Sequence, residues 1–230
     1  MLHNLIELRR RGIQTLICFS VLFLLFFFCA NNLFEALVNP LLHILSAEES
    51  LIATQITSPV FTPLKLAADA AMLFSTPFAL FQFWRFISPG LYKKEQHTLR
   101  IALIFSFVLF VVGVLFCFYF ILPFMFHFFA QALPKGVRYM PDMAHAIDFI
   151  TRMLLLFGLC FQVPLACLML VRLNIVEVHT LKKIRPYVIV SAFIIGMLLT
   201  PPDVFSQITL AVPLCLLYET GIILALCLRH

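Results

Sequence analysis

Six long apolar stretches follow one another along this chain, and runs of that length have one natural solvent. A bilayer's hydrocarbon core is about 30 Å thick, so a helix rising 1.5 Å per residue crosses it in about 20 residues. Of the 230 residues, 63% are hydrophobic and 12% are charged; soluble domains carry about 25% charged residues. A soluble fold of this length has no interior large enough to hide so much apolar side chain. The pattern predicts an all-α, polytopic membrane protein. Its six transmembrane helices are expected at 13–30, 66–83, 101–124, 149–171, 187–199 and 207–227. With their connecting loops these use up the chain as one membrane domain, and no separate soluble part is expected.

Arg9-Arg10-Arg11 ahead of the first apolar run resembles the start of a cleavable signal peptide. Such a peptide has an apolar region of about 7–15 residues followed by a small-residue cleavage pattern. Ile13–Ala30 is longer and no such pattern follows, so a retained first helix is expected. Orientation follows from the cations, which gather on cytoplasmic segments. With a cytoplasmic N-terminus, twelve of the sixteen Lys and Arg lie inside; only Lys65, Lys135, Arg138 and Arg152 lie outside. Both termini are then cytoplasmic, as in a bacterial-type inner membrane. The outer loops are 31–65, 125–148 and 201–206; the first carries Pro40, Pro59 and Pro63 around an amphipathic stretch, Leu41–Leu45. The net charge of +5 is accounted for by this topology, so no nucleic-acid partner is expected. Seven cysteines sit in or beside apolar runs without a C-x-x-C pair, which disfavours a disulfide framework or metal site.

Helices 5 and 6 read as short. Pro186 and Pro201-Pro202 bound the fifth at Tyr187–Leu199, and the sixth is strongly apolar only from Ile208 to Leu217 before Glu219. Short spans are accommodated by thinning the bilayer or by oligomerising, and thinning beside these helices is expected. Pro77, Pro164 and Pro213 fall inside predicted helices. Each removes an internal hydrogen bond, and three such kinks suggest a concave bundle.

Few polar groups are placed to carry chemistry. Glu7 and Glu95 lie on the mainly basic inner side. They either neutralise neighbouring cations or form a carboxylate pair for a cationic ligand such as guanidinium, whose planar fork matches a carboxylate. Lys65 and Asp69, four apart, can pair on one helix face. Gln162 lies near the middle of helix 4, where a polar side chain faces the protein interior or a cavity. It either makes an interhelical hydrogen bond or serves function directly. Glu219 is an intramembrane carboxylate or marks the inner end of a short helix 6, and the second fits the span better. Asp203 is placed to cap helix 6. The histidines lack metal-ligand spacing, and no nucleophile elbow or phosphate-binding loop appears. Neither an enzyme nor a cofactor is expected.

Several motifs together carry a family resemblance: Glu7-Leu8-Arg9 before helix 1; Pro63-Leu64-Lys65-Leu66-Ala67 at helix 2; the inner loop from Trp84-Arg85-Phe86-Ile87-Ser88-Pro89-Gly90 to Lys93-Lys94-Glu95; Lys182-Lys183-Ile184-Arg185-Pro186-Tyr187; and the run from Gly196 to Gln207 around Thr200-Pro201-Pro202-Asp203. Over essentially its whole length the chain resembles the TatC family, the signal-reading core of the twin-arginine protein translocase. The resemblance implies a six-helix, glove-like receptor for the twin-arginine signal peptides of folded cargo. It implies partnership with single-span TatA-like and TatB-like proteins and with further copies of itself, and export driven by the proton-motive force. It assigns Glu7, Arg9, Phe86 and Glu95 to signal binding, and Gln162, Met197, Thr200 and Gln207 to intramembrane polar or partner-docking positions. Pro40 and Asp203 become outer-loop positions needed for transport. Two departures stand out. Asn4 replaces a frequent His, and Gln162 stands where many members carry Glu; an amide does not titrate, which argues against a proton relay there.

Two other functions fit a polytopic protein. A proton-coupled small-solute permease needs a polar path at mid-membrane depth, for which Gln162 and Glu219 are thin material. A scaffold needs no arginine-binding carboxylates.

Overall fold

The computed structural model describes residues 2–30, 32–35, 37, 52, 57–87, 96–131, 141–173, 175–199 and 204–227. Helix α1 is Leu2–Phe28 and α2 is Ser58–Ile87. Helix α3, Gln96–Phe116, continues through a π-helical turn, Cys117–Ile121, into α4, Leu122–Gln131. Then follow α5 (Met143–Cys160), α6 (Val163–Arg172), α7 (Val178–Leu199) and α8 (Val204–Cys227). The only extended pairing among the described residues is a parallel bridge between Ile52 and Asp142, which ties the first long loop to the start of α5.

Most elements outrun their apolar cores. Helix α1 begins eleven residues before Ile13 because its polar first turns hold together on their own: Glu7 pairs with Arg11 one turn on, a spacing that stabilises helices. Helix α2 starts at Ser58 and absorbs Pro59 and Pro63, which had been expected in the outer loop. Pro59 lies in the first turn, where a missing N–H loses no partner; Pro63 lies inside the helix, past the point where the Phe61 N–H bonds the Thr57 oxygen, and costs one helix bond. Farther along, Pro77 removes a helix bond, and the hydroxyls of Ser75 and Thr76 both donate to the Met72 oxygen, at 3.1 and 2.7 Å, close to that gap.

The expected third helix runs on to Gln131 instead of stopping at Phe124, and α5 begins at Met143, so these helices take up residues that the sequence reading had placed in a loop at 125–148. The π turn has a local cause. Pro123 has no N–H and its ring crowds the carbonyl four residues back; widening the preceding turn, with the Leu122 N–H bonded to the Cys117 oxygen, makes room for it. At its other end, α5 is capped by Asp142, whose Oδ1 accepts from the N–H groups of Ala144 and His145 at 2.9 and 3.1 Å. The expected fourth helix is two helices, α5 and α6, broken at Phe161-Gln162 just before Pro164.

Two corrections concern the last helices. Pro186 does not bound helix 5: α7 begins at Val178 and carries Pro186 inside it. Helix 6 does not end at Glu219, since α8 is 24 residues long, Val204–Cys227, and continues past Glu219. Among the described residues, five helical spans are long and apolar enough to cross a membrane: Ile6–Phe28, Phe61–Arg85, Ala102–Gln131, Met143–Arg172 and Val204–Cys227. Helix α7 is long enough, but Lys182, Lys183 and Arg185 occupy its beginning, and only its apolar stretch from Pro186 to Leu199 is short.

The chain forms two compact units, 1–89 with 115–155 and 90–114 with 156–230. In the first, small residues of α2 (Ala67, Ala70, Ala71) are buried, as are Leu122, Met125, Ile147, Ile150 and Met153. Phe149 meets Phe126 and Phe129 edge-on at 6.0 and 6.2 Å. Helix α1 packs along α2, with Phe26 and Phe74 5.1 Å apart, and its other face is open, with Leu16, Val21, Leu24 and Phe28 exposed. Apolar patches of that extent are untenable in water and natural against lipid. In the second unit Cys167, Val171, Val178, Leu181, Tyr218, Ile222 and Ala225 form one cluster; Ala192, Ala211 and Leu214 form another.

Backbones of the second unit approach closely at Gly113. A Cβ there would lie 2.7 Å from the Phe157 carbonyl oxygen and 2.8 Å from Phe161 Cγ. Backbone cannot yield as a side chain can. Gly113→Ala is therefore expected to cost about 1–3 kcal/mol by overpacking, read as a lower thermal midpoint in detergent. An unchanged midpoint would mean that the two helices do not approach this closely.

Candidate functional site

The end of the first unit where α1 starts and α2 stops carries the residues of interest. Glu7 lies in the second turn of α1, half-buried, with its Oε1 held by the Arg11 guanidinium. Arg11 also reaches α2, donating through Nη1 to the Gln82 carbonyl oxygen at 3.0 Å. Gln82 is buried, and its Nε2 donates to Gln14 Oε1 at 3.0 Å. These bonds lock the start of α1 to the end of α2, one turn before Phe86. Arg9 is exposed on α1. Phe86 belongs to the last turn of α2, but its side chain lies outside the described residues, as do all of Glu95, Pro40, Thr200 and Asp203.

On the other flank of α2 the expected Lys65–Asp69 pair does not form. Lys65 Nζ reaches Asp148 Oδ2 on α5 at 2.5 Å, and Asp69 Oδ2 accepts from Thr151 Oγ1 at 2.9 Å. Each acid found a partner on the neighbouring helix, where a chain reading has no view.

Gln162 is buried at the break between α5 and α6. Ser106 Oγ on α3 donates to its Oε1 at 2.7 Å, and its Nε2 donates to the Ser106 carbonyl oxygen at 2.9 Å. The interhelical hydrogen bond, one of the two readings left open for this side chain, is present. The amide suits the position because the geometry asks for a donor and an acceptor at once. A carboxylate would face the Ser106 carbonyl with no proton to give.

Helices α7 and α8 meet through Gln207, whose Nε2 donates to the Phe193 carbonyl oxygen at 2.8 Å. A Cβ on Gly196 would lie 3.2 Å from Gln207 Cγ, so the glycine admits this side chain. Met197, the next residue, is 64% exposed and available to a neighbour. Deeper along the pair an apolar cleft of about 260 Å3 is lined by Val188, Ile189, Phe193, Val212 and Leu216. Arg185 and Glu219 close its polar end, Nη2 to Oε2 at 2.6 Å. Glu219 is therefore an ion-paired acid within α8, not the end of a short helix. Its pairing with Arg185 escaped the sequence reading, although both face one another across 34 positions; the basic run before Tyr187 was its only signal.

Such a chain is a multi-pass helical membrane protein whose polar side chains include several that bond from one helix to another. Residues 3–213 match the model of the family described as Sec-independent protein translocase protein (TatC). The chain is 42% identical to the TatC of Haemophilus influenzae over 98% of this chain and 88% of that one. To the TatC of Escherichia coli K12 it is 40% identical, over 96% and 86%. A crystal structure of the twin arginine translocase receptor TatC superposes with a TM-score of 0.89 at 32% identity, covering 99% of this chain and all of the other. The chain belongs to the TatC family. That membership supports a translocase subunit and sets aside the permease and the scaffold.

The Gln162–Ser106 pair allows a direct check. Gln162→Leu leaves the Ser106 groups to find partners locally and is expected to cost about 1–2 kcal/mol. A double-mutant cycle with Ser106→Ala, followed by unfolding in detergent, should show coupling; strict additivity would mean the pair contributes nothing.

Proposed function

We propose that this chain is the subunit of the twin-arginine translocase that reads the export signal of folded cargo. It sits in a bacterial-type inner membrane with both termini in the cytoplasm, and α7 supplies the sixth crossing. Glu7 and Glu95 receive the consecutive arginines of the signal peptide, with Arg9 and Phe86 contributing to the same recognition. Single-span TatA-like and TatB-like helices dock around α7 and the start of α8, where Met197, Thr200 and Gln207 are the contact positions. Pro40 and Asp203 act in the outer loops. Copies of the chain assemble with these partners, and the proton-motive force drives export.

The observation that carries the reading is the state of Glu7. Its carboxylate already engages a guanidinium and is half-buried at the junction of α1 and α2. A group that holds one guanidinium fork there is shaped to meet another. The distribution of cations supports the orientation. Because the site is near water, Coulomb attraction is screened within about 8–10 Å; directional hydrogen bonding supplies the discrimination between arginine and lysine.

Neutralising both acids tests this. The Glu7→Gln, Glu95→Gln double variant, reconstituted with its partners, should lose at least about tenfold in affinity for a twin-arginine signal peptide. That corresponds to about 1.4 kcal/mol. Unchanged affinity would remove these residues from the site. A second check concerns the membrane beside α7. Its charge-free stretch from Pro186 spans about 20 Å at 1.5 Å per residue, so the bilayer around reconstituted protein should be thinner there than on the α3 side; uniform thickness would contradict it.

A further inference from the structure

Glu7 is not vacant. Arg11 donates to its Oε1 through Nη2 and is anchored through Nη1 on the Gln82 carbonyl oxygen. The Arg11 side chain is only 13% exposed, and Gln82 is fixed in turn by Gln14. This guanidinium is therefore fastened at both ends of its fork. Glu7 Oε2 has no hydrogen-bond partner among the described residues.

We propose that Arg11 is a resident competitor in the arginine site: it holds half of the Glu7 carboxylate and thereby sets how strongly the site prefers arginine to lysine. The proposal rests on the reading of Glu7 given above. With Arg11 in place, the charge of Glu7 is offset from one side. The general attraction for any cation, which treats lysine and arginine alike, is correspondingly weak. What remains is directional: the lone pairs of Oε2 and the second lone pair of Oε1. A planar guanidinium presents two N–H groups to that edge. An ammonium offers a compact, strongly hydrated point charge that gains little from the geometry. Arg11 thus subtracts the unselective part of the interaction and leaves the selective part. It acts through Glu7 and is a positioning residue.

The test uses the full chain reconstituted with its partners and two labelled signal peptides, one with paired arginines and one with paired lysines. Arg11→Gln should raise binding of the lysine peptide by about tenfold and that of the arginine peptide by no more than about twofold. The preference then falls about fivefold. Arg11→Lys, which keeps the charge, should restore most of the preference. Should Arg11→Gln fail to fold, Arg11→Met keeps the buried stem and carries the same expectation. An unchanged ratio, or equal weakening of both peptides, would overturn the proposal and leave Arg11 as a helix-to-helix tie. Glu7→Gln measured alongside separates the two claims. If it leaves arginine-peptide binding intact, the assignment of Glu7 fails; if it abolishes binding while Arg11→Gln leaves the ratio unmoved, only the role of Arg11 fails.

Discussion

Hydrocarbon offers a polar group no partner, and nearly every polar contact in this protein answers to that constraint. Gln162 and Ser106 exchange two hydrogen bonds. Gln207 spends its amide on the Phe193 carbonyl, Tyr218 its hydroxyl on the Leu181 carbonyl at 2.8 Å, and Thr151 its hydroxyl on Asp69. Each of these bonds joins two helices, so satisfying the polar group also fixes a helix pair. The cost of leaving such a group alone in lipid makes few bonds sufficient. Packing then needs only small residues at close approaches, as at Gly113 and Gly221.

The same constraint explains where the helices break and bend. A proline in a span frees a carbonyl that must be answered nearby. Near Pro77, whose missing N–H frees the Leu73 carbonyl, the hydroxyls of Ser75 and Thr76 both bond the adjacent Met72 oxygen. Before Pro123 the helix widens by one residue into a π turn. Before Pro164 it parts at Phe161-Gln162, where the Gln162 N–H bonds back to the Leu159 oxygen at 3.0 Å. That last break sits beside the buried amide that ties α3 to this segment, so the interruption and the interhelical bond occupy one place.

How much of this was legible depended on distance along the chain. Long apolar runs announced the all-helical membrane fold because composition over a window survives any tertiary arrangement. The polar ends of helices did not announce themselves. The first turns of α1 are held by Glu7 and Arg11 rather than by an apolar stripe, and hydropathy alone placed the start at Ile13. The i, i+4 spacing of Lys65 and Asp69 suggested a local pair, but partners from α5, some eighty positions away, took both. Glu219 was misplaced for the same reason: Arg185, its partner, lies on the preceding helix. Pro123 could have been read as a break in helix 3 but lies in an unbroken apolar run that masked it. Motif and local charge both made Glu7 a candidate, whereas the guanidinium resting on it required knowing which way Arg11 turns.

The central claim is that an export tag is read by its guanidinium groups at the inner ends of α1 and α2. A photo-crosslinker introduced at position 86, with labelled signal peptide carrying paired arginines or paired lysines, tests it most directly. The account predicts a strong adduct with the arginine peptide that is largely lost when lysines replace the pair. Adducts of equal yield from both peptides, or none from either while export proceeds, would contradict it.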